Sequence, residues 1–222
     1  MDENIKSATE QPKPENQPAK PKKNWKQELR EWVVALGVAL IVVFIVQTFF
    51  FMMIRVDGQS METTLHDNER LFVNVAQLRF TGRIDRNSIV ICHYPNRYNS
   101  VLGIKINTNF VKRLVGLPGD QVYRENGVTH VVYQDAGQTI DEALDERMAM
   151  VPYYSYSSPD YGPYTLGENE YFVVGDNRYN SHDSRDWQDN DPSGDVGPIT
   201  RDMLVGKVEF VLWPLNSIRA AK

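Results

Sequence analysis

The chain has 222 residues, room for one globular domain of ordinary size with appendages. Its formal net charge of −5 gives no sign of the basic face that a nucleic-acid binder carries. A lone cysteine, Cys92, excludes an internal disulfide, so an exported domain of this chain would be held by its core alone.

The first residues are rich in Pro, Lys, Glu, Gln and Asn. Such a composition buries too little apolar surface to offset chain entropy and predicts a disordered tail over residues 1–31, whose lysines could also meet anionic lipid. From Trp32 to Ile54 the chain is almost wholly apolar, with Gln47 and Thr48 the main interruptions. At 1.5 Å per residue, a run of roughly 20 residues crosses a hydrocarbon core. Trp32 and the Phe49-Phe50-Phe51 cluster suit the two interfaces. The run is too long for a cleavable leader, no small-residue cleavage pattern follows it, and it lacks the polar face of a core helix. Lys20, Lys22, Lys23, Lys26 and Arg30 precede it, whereas Arg55 and then Asp57 follow. This asymmetry predicts a single-pass protein of the cell membrane with a cytoplasmic N-terminus and residues 55–222 outside.

Beyond the span, short runs rich in Val, Ile, Phe and Tyr recur between turn residues: 70–75, 88–92, 109–112, 171–174 and 204–212. Residues 122–132 carry Asn126-Gly127 between two β-rich arms and predict a hairpin with a type I′ turn. Residues 139–150 read as a short helix ended by Pro152, and 153–163 as a loop. Cys92, inside an apolar run, reads as a small buried hydrophobe. The fold class is mostly β: an antiparallel, barrel-like or sandwich catalytic domain over 55–222, with a small inserted subdomain around 121–169, on a single N-terminal transmembrane helix at 32–54.

Three segments are more polar and glycine-bearing than a plain β-scaffold requires: 57–65, 112–120 and 175–185. Strand alternation puts Phe110 and Lys112 on one face and Val111 on the other. If the Phe110 face is the core, the lysine is buried, its pKa falls, and the neutral amine can act as a general base. On position alone a surface lysine at a strand end is the stronger reading, since lysine is rarely buried. Ser60, after Gly58-Gln59, could be a turn residue, and the Gly-x-Ser-x-Gly nucleophile elbow is absent. Of His66, His93, His130 and His182, none has an evident place in a Ser-His-Asp triad. The acidic stretch 183–195 only partly imitates a calcium loop: the twelfth position is Thr200, not Glu.

Taken together, the three segments resemble type I signal peptidases (leader peptidases), in particular the compact single-span Gram-positive type. The family pattern Ser-Met-x-Pro-Thr-Leu stands here as Ser60-Met61-Glu62-Thr63-Thr64-Leu65. Lys-Arg-x-x-Gly-x-Pro-Gly-Asp is matched by 112–120, and Gly-Asp-Asn-x-x-x-Ser-x-Asp-Ser-Arg by 175–185. Gly206-Lys207 and Trp213-Pro214 also look like the family.

The resemblance implies a Ser-Lys endopeptidase that removes signal peptides from exported preproteins. Ser60 would be the nucleophile, Lys112 the general base, and Ser181 the group that orients the lysine. The Ser60 backbone N–H would serve the oxyanion hole. Gly58 occupies the position where other members supply a side-chain donor. Asp183 would pair with Arg185 and with Arg113, and Gly175, Asp176 and Asn177 would shape the adjoining turn. The implied partners are signal peptides with small residues at −1 and −3, the bilayer and the export translocon. No cofactor, metal or nucleic acid is expected. Thr63 replaces the family proline, which loosens the turn after the nucleophile. The alternative is a catalytically weak or inactive anchored homologue that binds exported peptides; retention of Ser60, Lys112 and Ser181 speaks against it.

Overall fold

The computed structural model describes residues 24–94, 97–101, 104–144, 160–186 and 196–222. It divides into two compact units, 1–43 and 44–222. Helix α1 (Trp25–Phe49) runs through most of the described part of the first and ends in the second. Within Trp25–Gln47 an 18-residue window has a mean hydropathy of 2.4, with none of it buried, so by length and composition the helix can cross a membrane. The bounds differ from those expected. Residues 25–31, read as tail, are helical, because Lys, Gln, Glu, Leu and Arg continue a helix without a breaker. The end of the apolar run falls in strand β1 (Phe51–Arg55), since hydropathy alone does not separate a helix from a strand.

The second unit is mostly β. Its strands are β2 (Arg70–Asn74), β3 (Ile89–Cys92), β4 (Tyr98–Val101), β5 (Ile104–Asn107), β6 (Phe110–Gly116), β7 (Gln121–Glu125) and β8 (Val128–Asp135). They continue with β9 (Gln138–Ala143), β10 (Tyr161–Thr165), β11 (Glu170–Val174), β12 (Ile199–Thr200), β13 (Leu204–Trp213) and β14 (Arg219–Ala220). A short helix, α2 (Ala76–Thr81), follows β2. The main antiparallel sheet has the order β1-β2-β13-β3-β6-β11-β12, with β14 also on β13. Strand β13 breaks register three times, so its first half pairs with β3 and the rest with β2. Such bulges bend and twist a strand, which curls the sheet.

A second sheet, β10-β7-β8-β9, is built from residues 121–165, the region expected to be an insert. The β7–β8 turn is the expected hairpin: Asn126 and Gly127 both have positive φ, 53° and 78°, as a type I′ turn requires. A third pair, β4-β5, closes a small hairpin of its own.

Apolar side chains gather in three clusters. One holds Val90, Cys92, Tyr94, Leu114 and Val173; another holds Met61, Leu65, Val73, Ile91 and Val208. The third, around Val122, Val131, Phe172 and Val174, joins residues of the two larger sheets. Two readings made from sequence are corrected. Residues 139–143 belong to β9, because β-branched Thr139 and Ile140 take up the free edge of the long β8; 145–150 lie outside the described residues. Residues 161–163, read as loop, open β10, which pairs with β7 through a register shift.

Candidate active site

Strand β6 passes between two of the clusters: Phe110 packs on the first and Val111 on the second. Alternation therefore turns Lys112 to the Phe110 and Leu114 side, opposite Val90 of β3. The lysine is only 2% exposed. Ser60 lies in the turn after β1, which Met61 and Leu65 pin by burying completely. Across this space Lys112 Nζ lies 2.7 Å from Ser60 Oγ. Burial pushes the amine below the ordinary lysine range; Asp183, Cys92 and Asp186 pull it partly back, while Arg185 pushes it further down. The neutral form is thereby brought towards working pH. Cys92, wholly buried beneath, has its thiol pushed up to about 12 by the same loss of water, so it stays protonated.

The third polar segment closes the site from the other side. Asp183 and Arg185 are both buried and meet in a fork: Nε to Oδ1 at 2.8 Å and a terminal nitrogen to Oδ2 at 2.9 Å. Burial alone would raise the Asp183 carboxyl. Arg185, the Gly175 N–H at 2.9 Å and the Ser181 hydroxyl outweigh it and hold the carboxyl below its usual range. Ser181 is buried against Gly175, where an added Cβ would overlap its hydroxyl and stand 2.5 Å from the Ser60 carbonyl oxygen. Only glycine allows this approach. The Asn177 backbone N–H donates to that same Ser60 carbonyl at 3.0 Å, and its side-chain amide to the Gln59 carbonyl at 3.1 Å. The turn at 175–177 thus grips the peptide bonds on both sides of Ser60. Among the described residues the Ser60 N–H carries no protein hydrogen bond, which leaves it open to an incoming oxygen. Gly58, exposed with φ 103°, has its own N–H committed to Asp67 Oδ1 at 3.0 Å.

Arg113 does not pair with Asp183 as expected. Pairing of Val174 with Arg113 in the β11–β6 ladder brings Arg113 beside residue 176, and alternation turns it away from Lys112. Arg113 instead holds Asp176 in a two-pronged contact, each prong at 2.7 Å, and Thr64 Oγ1 donates to the same carboxylate at 2.6 Å. Burial would raise the Asp176 carboxyl, but Arg113 and Thr64 keep it below the usual range. The Glu69–Arg219 pair does similar work on the other flank, with Arg219 also donating to the Thr64 carbonyl at 2.8 Å. These contacts were not legible in sequence, because they join residues 63 to 155 positions apart.

The four histidines have partners elsewhere: His66 faces Glu62, His93 the Thr108 carbonyl, His130 Asp141, and His182 Asp186. Among the described residues, no group of three His, Cys, Asp or Glu side chains forms a metal site. Residues 187–195 of the acidic stretch lie outside the described residues.

The family described as "Signal peptidase, peptidase S26" matches residues 29–213. The chain is 32% identical over 197 residues to signal peptidase I S of Bacillus subtilis strain 168, covering 87% of this chain and 94% of that one. It is 36% identical over 201 residues to a signal peptidase I P of Bacillus subtilis subsp. natto, covering 90% and 97%. Signal peptidase IB of Staphylococcus aureus strain Mu50 is 31% identical over 213 residues, covering 87% and 94%.

Proposed function

Because the chain belongs to the S26 family of signal peptidases, we propose that it is a membrane-bound serine endopeptidase that removes signal peptides from exported preproteins, with Ser60 as nucleophile and Lys112 as general base. Signal-peptide removal follows from the family. The roles of Ser60 and Lys112 rest on one observation, the buried amine 2.7 Å from the hydroxyl.

In this mechanism the neutral Lys112 amine takes the Ser60 proton as Oγ attacks the carbonyl carbon before the scissile bond. The carbonyl oxygen, gaining negative charge, is met by the Ser60 N–H. Lys112, now ammonium, returns a proton to the departing amine, and the mature protein leaves. The same amine then takes a proton from water, whose oxygen attacks the Ser60 ester, and gives that proton to Ser60 Oγ as the C–O bond breaks and the signal peptide is freed. Ser181 and the Asp183–Arg185 pair hold the lysine in its place. The substrates are signal peptides with small residues at −1 and −3.

The anchoring reading is that α1 spans the bilayer, with the basic flank Lys20–Arg30 in the cytoplasm, the β domain outside, and the translocon a neighbour that delivers substrate. Support comes from the hydropathy of the helix and the charge asymmetry around it. A signal peptide held in lipid would then meet Ser60 at high effective concentration.

The test is cleavage of a model preprotein in lipid vesicles by wild type and Ser60→Ala. Wild type should cut once, after small residues at −1 and −3, and Ser60→Ala should not cut. A Ser60→Ala protein that still cuts would refute the nucleophile.

A further inference from the structure

The loop at 181–186 has an outer fastening that the proteolytic reading leaves unused. Tyr94 follows β3 and is buried, with only 3% of its surface exposed. Its ring stacks on Phe110, with centroids 4.4 Å apart and planes 15° from parallel, and Phe110 shares the Lys112 side of β6. The Tyr94 hydroxyl donates to the His182 carbonyl at 3.2 Å, and the His182 ring stands edge-on to the tyrosine at 6.2 Å. Farther round the loop, His182 Nδ1 lies 3.0 Å from Asp186 Oδ2, and the same oxygen accepts the Asp183 N–H at 2.9 Å. The Asp186 N–H donates back to the Asp183 carbonyl at 2.9 Å. A continuous path of contacts thus runs from Phe110 through Tyr94, His182 and Asp186 to Asp183.

We propose that Tyr94 and the His182–Asp186 pair form a clamp that fastens the 181–186 loop against β6, and that through this loop they are positioning residues for Lys112. The proposal deepens the proteolytic reading and rests on it. Tyr94 and His182 make the contacts just described with Phe110, Asp186 and each other. They act through Phe110, which fixes the strand under the lysine, and through Asp183 and Arg185, which face it from the loop. The charged or titratable groups bearing on the amine are Asp183, Arg185 and Asp186 from the loop and Cys92 from β3. All three loop groups lie in the stretch that the clamp holds. Loosening the clamp admits water beside the amine and weakens the burial that favours its neutral form.

The deciding variant is Tyr94→Phe, which keeps the ring stack and removes only the hydroxyl; His182→Gln removes the imidazole. Each should lower kcat for preprotein cleavage about three- to tenfold, the worth of one hydrogen bond, with KM within about twofold of wild type. The acidic limb of the kcat/KM profile should move to higher pH, as a better-hydrated lysine holds its proton more tightly. The double variant should lose less than the product of the single losses, since both changes release one loop. Folding is checked by thermal melting of each variant in detergent. Folded Tyr94→Phe and His182→Gln proteins with wild-type kcat and an unmoved acidic limb would overturn the clamp. A kcat loss without any shift in the acidic limb would overturn its action on Lys112. Ser60→Ala, run alongside, separates the two proposals: if it still cuts, the proteolytic reading has failed, whereas if it is dead and the clamp variants are normal, the clamp alone has failed.

Discussion

An ammonium group is ordinarily among the most strongly hydrated on a protein, so a lysine with 2% exposure is there at a cost in free energy. Among the described residues no carboxylate forms an ion pair with Lys112, and its Nζ lies 2.7 Å from a serine hydroxyl. Arg113, one residue on, is the opposite case, charged and fully paired with Asp176. Lys112→Arg should therefore fail as completely as Lys112→Ala in preprotein cleavage, because guanidinium does not give up its proton near neutrality. The Arg113–Asp176 pair is mainly structural, and Asp176→Asn should cost about 2–4 kcal/mol at neutral pH. Because the folded-state pKa of Asp176 is lowered, its contribution is present above the unfolded carboxyl value of about 4 and fades as pH falls through the folded one. Urea midpoints of wild type and Asp176→Asn should thus differ at pH 7, and the difference should shrink as the pH is taken below the ordinary carboxylate range. Sequence alone brought Ser60 and Lys112 forward as candidates, but not the partner of Arg113, which depends on a ladder register that no local pattern encodes.

At the scale of elements, the strands with dense β-branched and aromatic residues were legible: β2, β3, β6, β11 and β13 all fall on runs visible in sequence. So was the Asn126-Gly127 hairpin, whose turn chemistry is local. Strand β9 was misread because Glu142 and Ala143 suit a helix and only pairing with β8 decides otherwise. Helix α2 and the β4–β5 hairpin were not read, being short and without a clear period. The element on which the site turns most sharply is the bend after β11. Gly175 lies where any side chain would press on Ser181 and on the Ser60 carbonyl. Gly175→Ala should lower stability by about 1–3 kcal/mol and cleavage by more than tenfold, since the displaced groups are the site itself. Melting and turnover measured together check this; a fully active Gly175→Ala protein would show that the bend has slack.

For the molecule as a whole, the class is legible in sequence through a family resemblance, carried by three polar segments in order behind one apolar helix. Folding adds the reason those segments belong together: a curled sheet brings half-buried Ser60 and buried Lys112, Gly175, Ser181, Asp183 and Arg185 to one place with no disulfide to hold it. The central claim is that an uncharged Lys112 amine activates Ser60. It is tested most directly by cleavage of a lipid-embedded preprotein from pH 5 to 9, by wild type and Lys112→Ala, with melting curves confirming that both are folded. The account predicts wild-type activity that falls in acid as the amine gains its proton, and a folded Lys112→Ala protein with no activity at any pH. Full activity in Lys112→Ala, or a flat wild-type profile across that range, would contradict it.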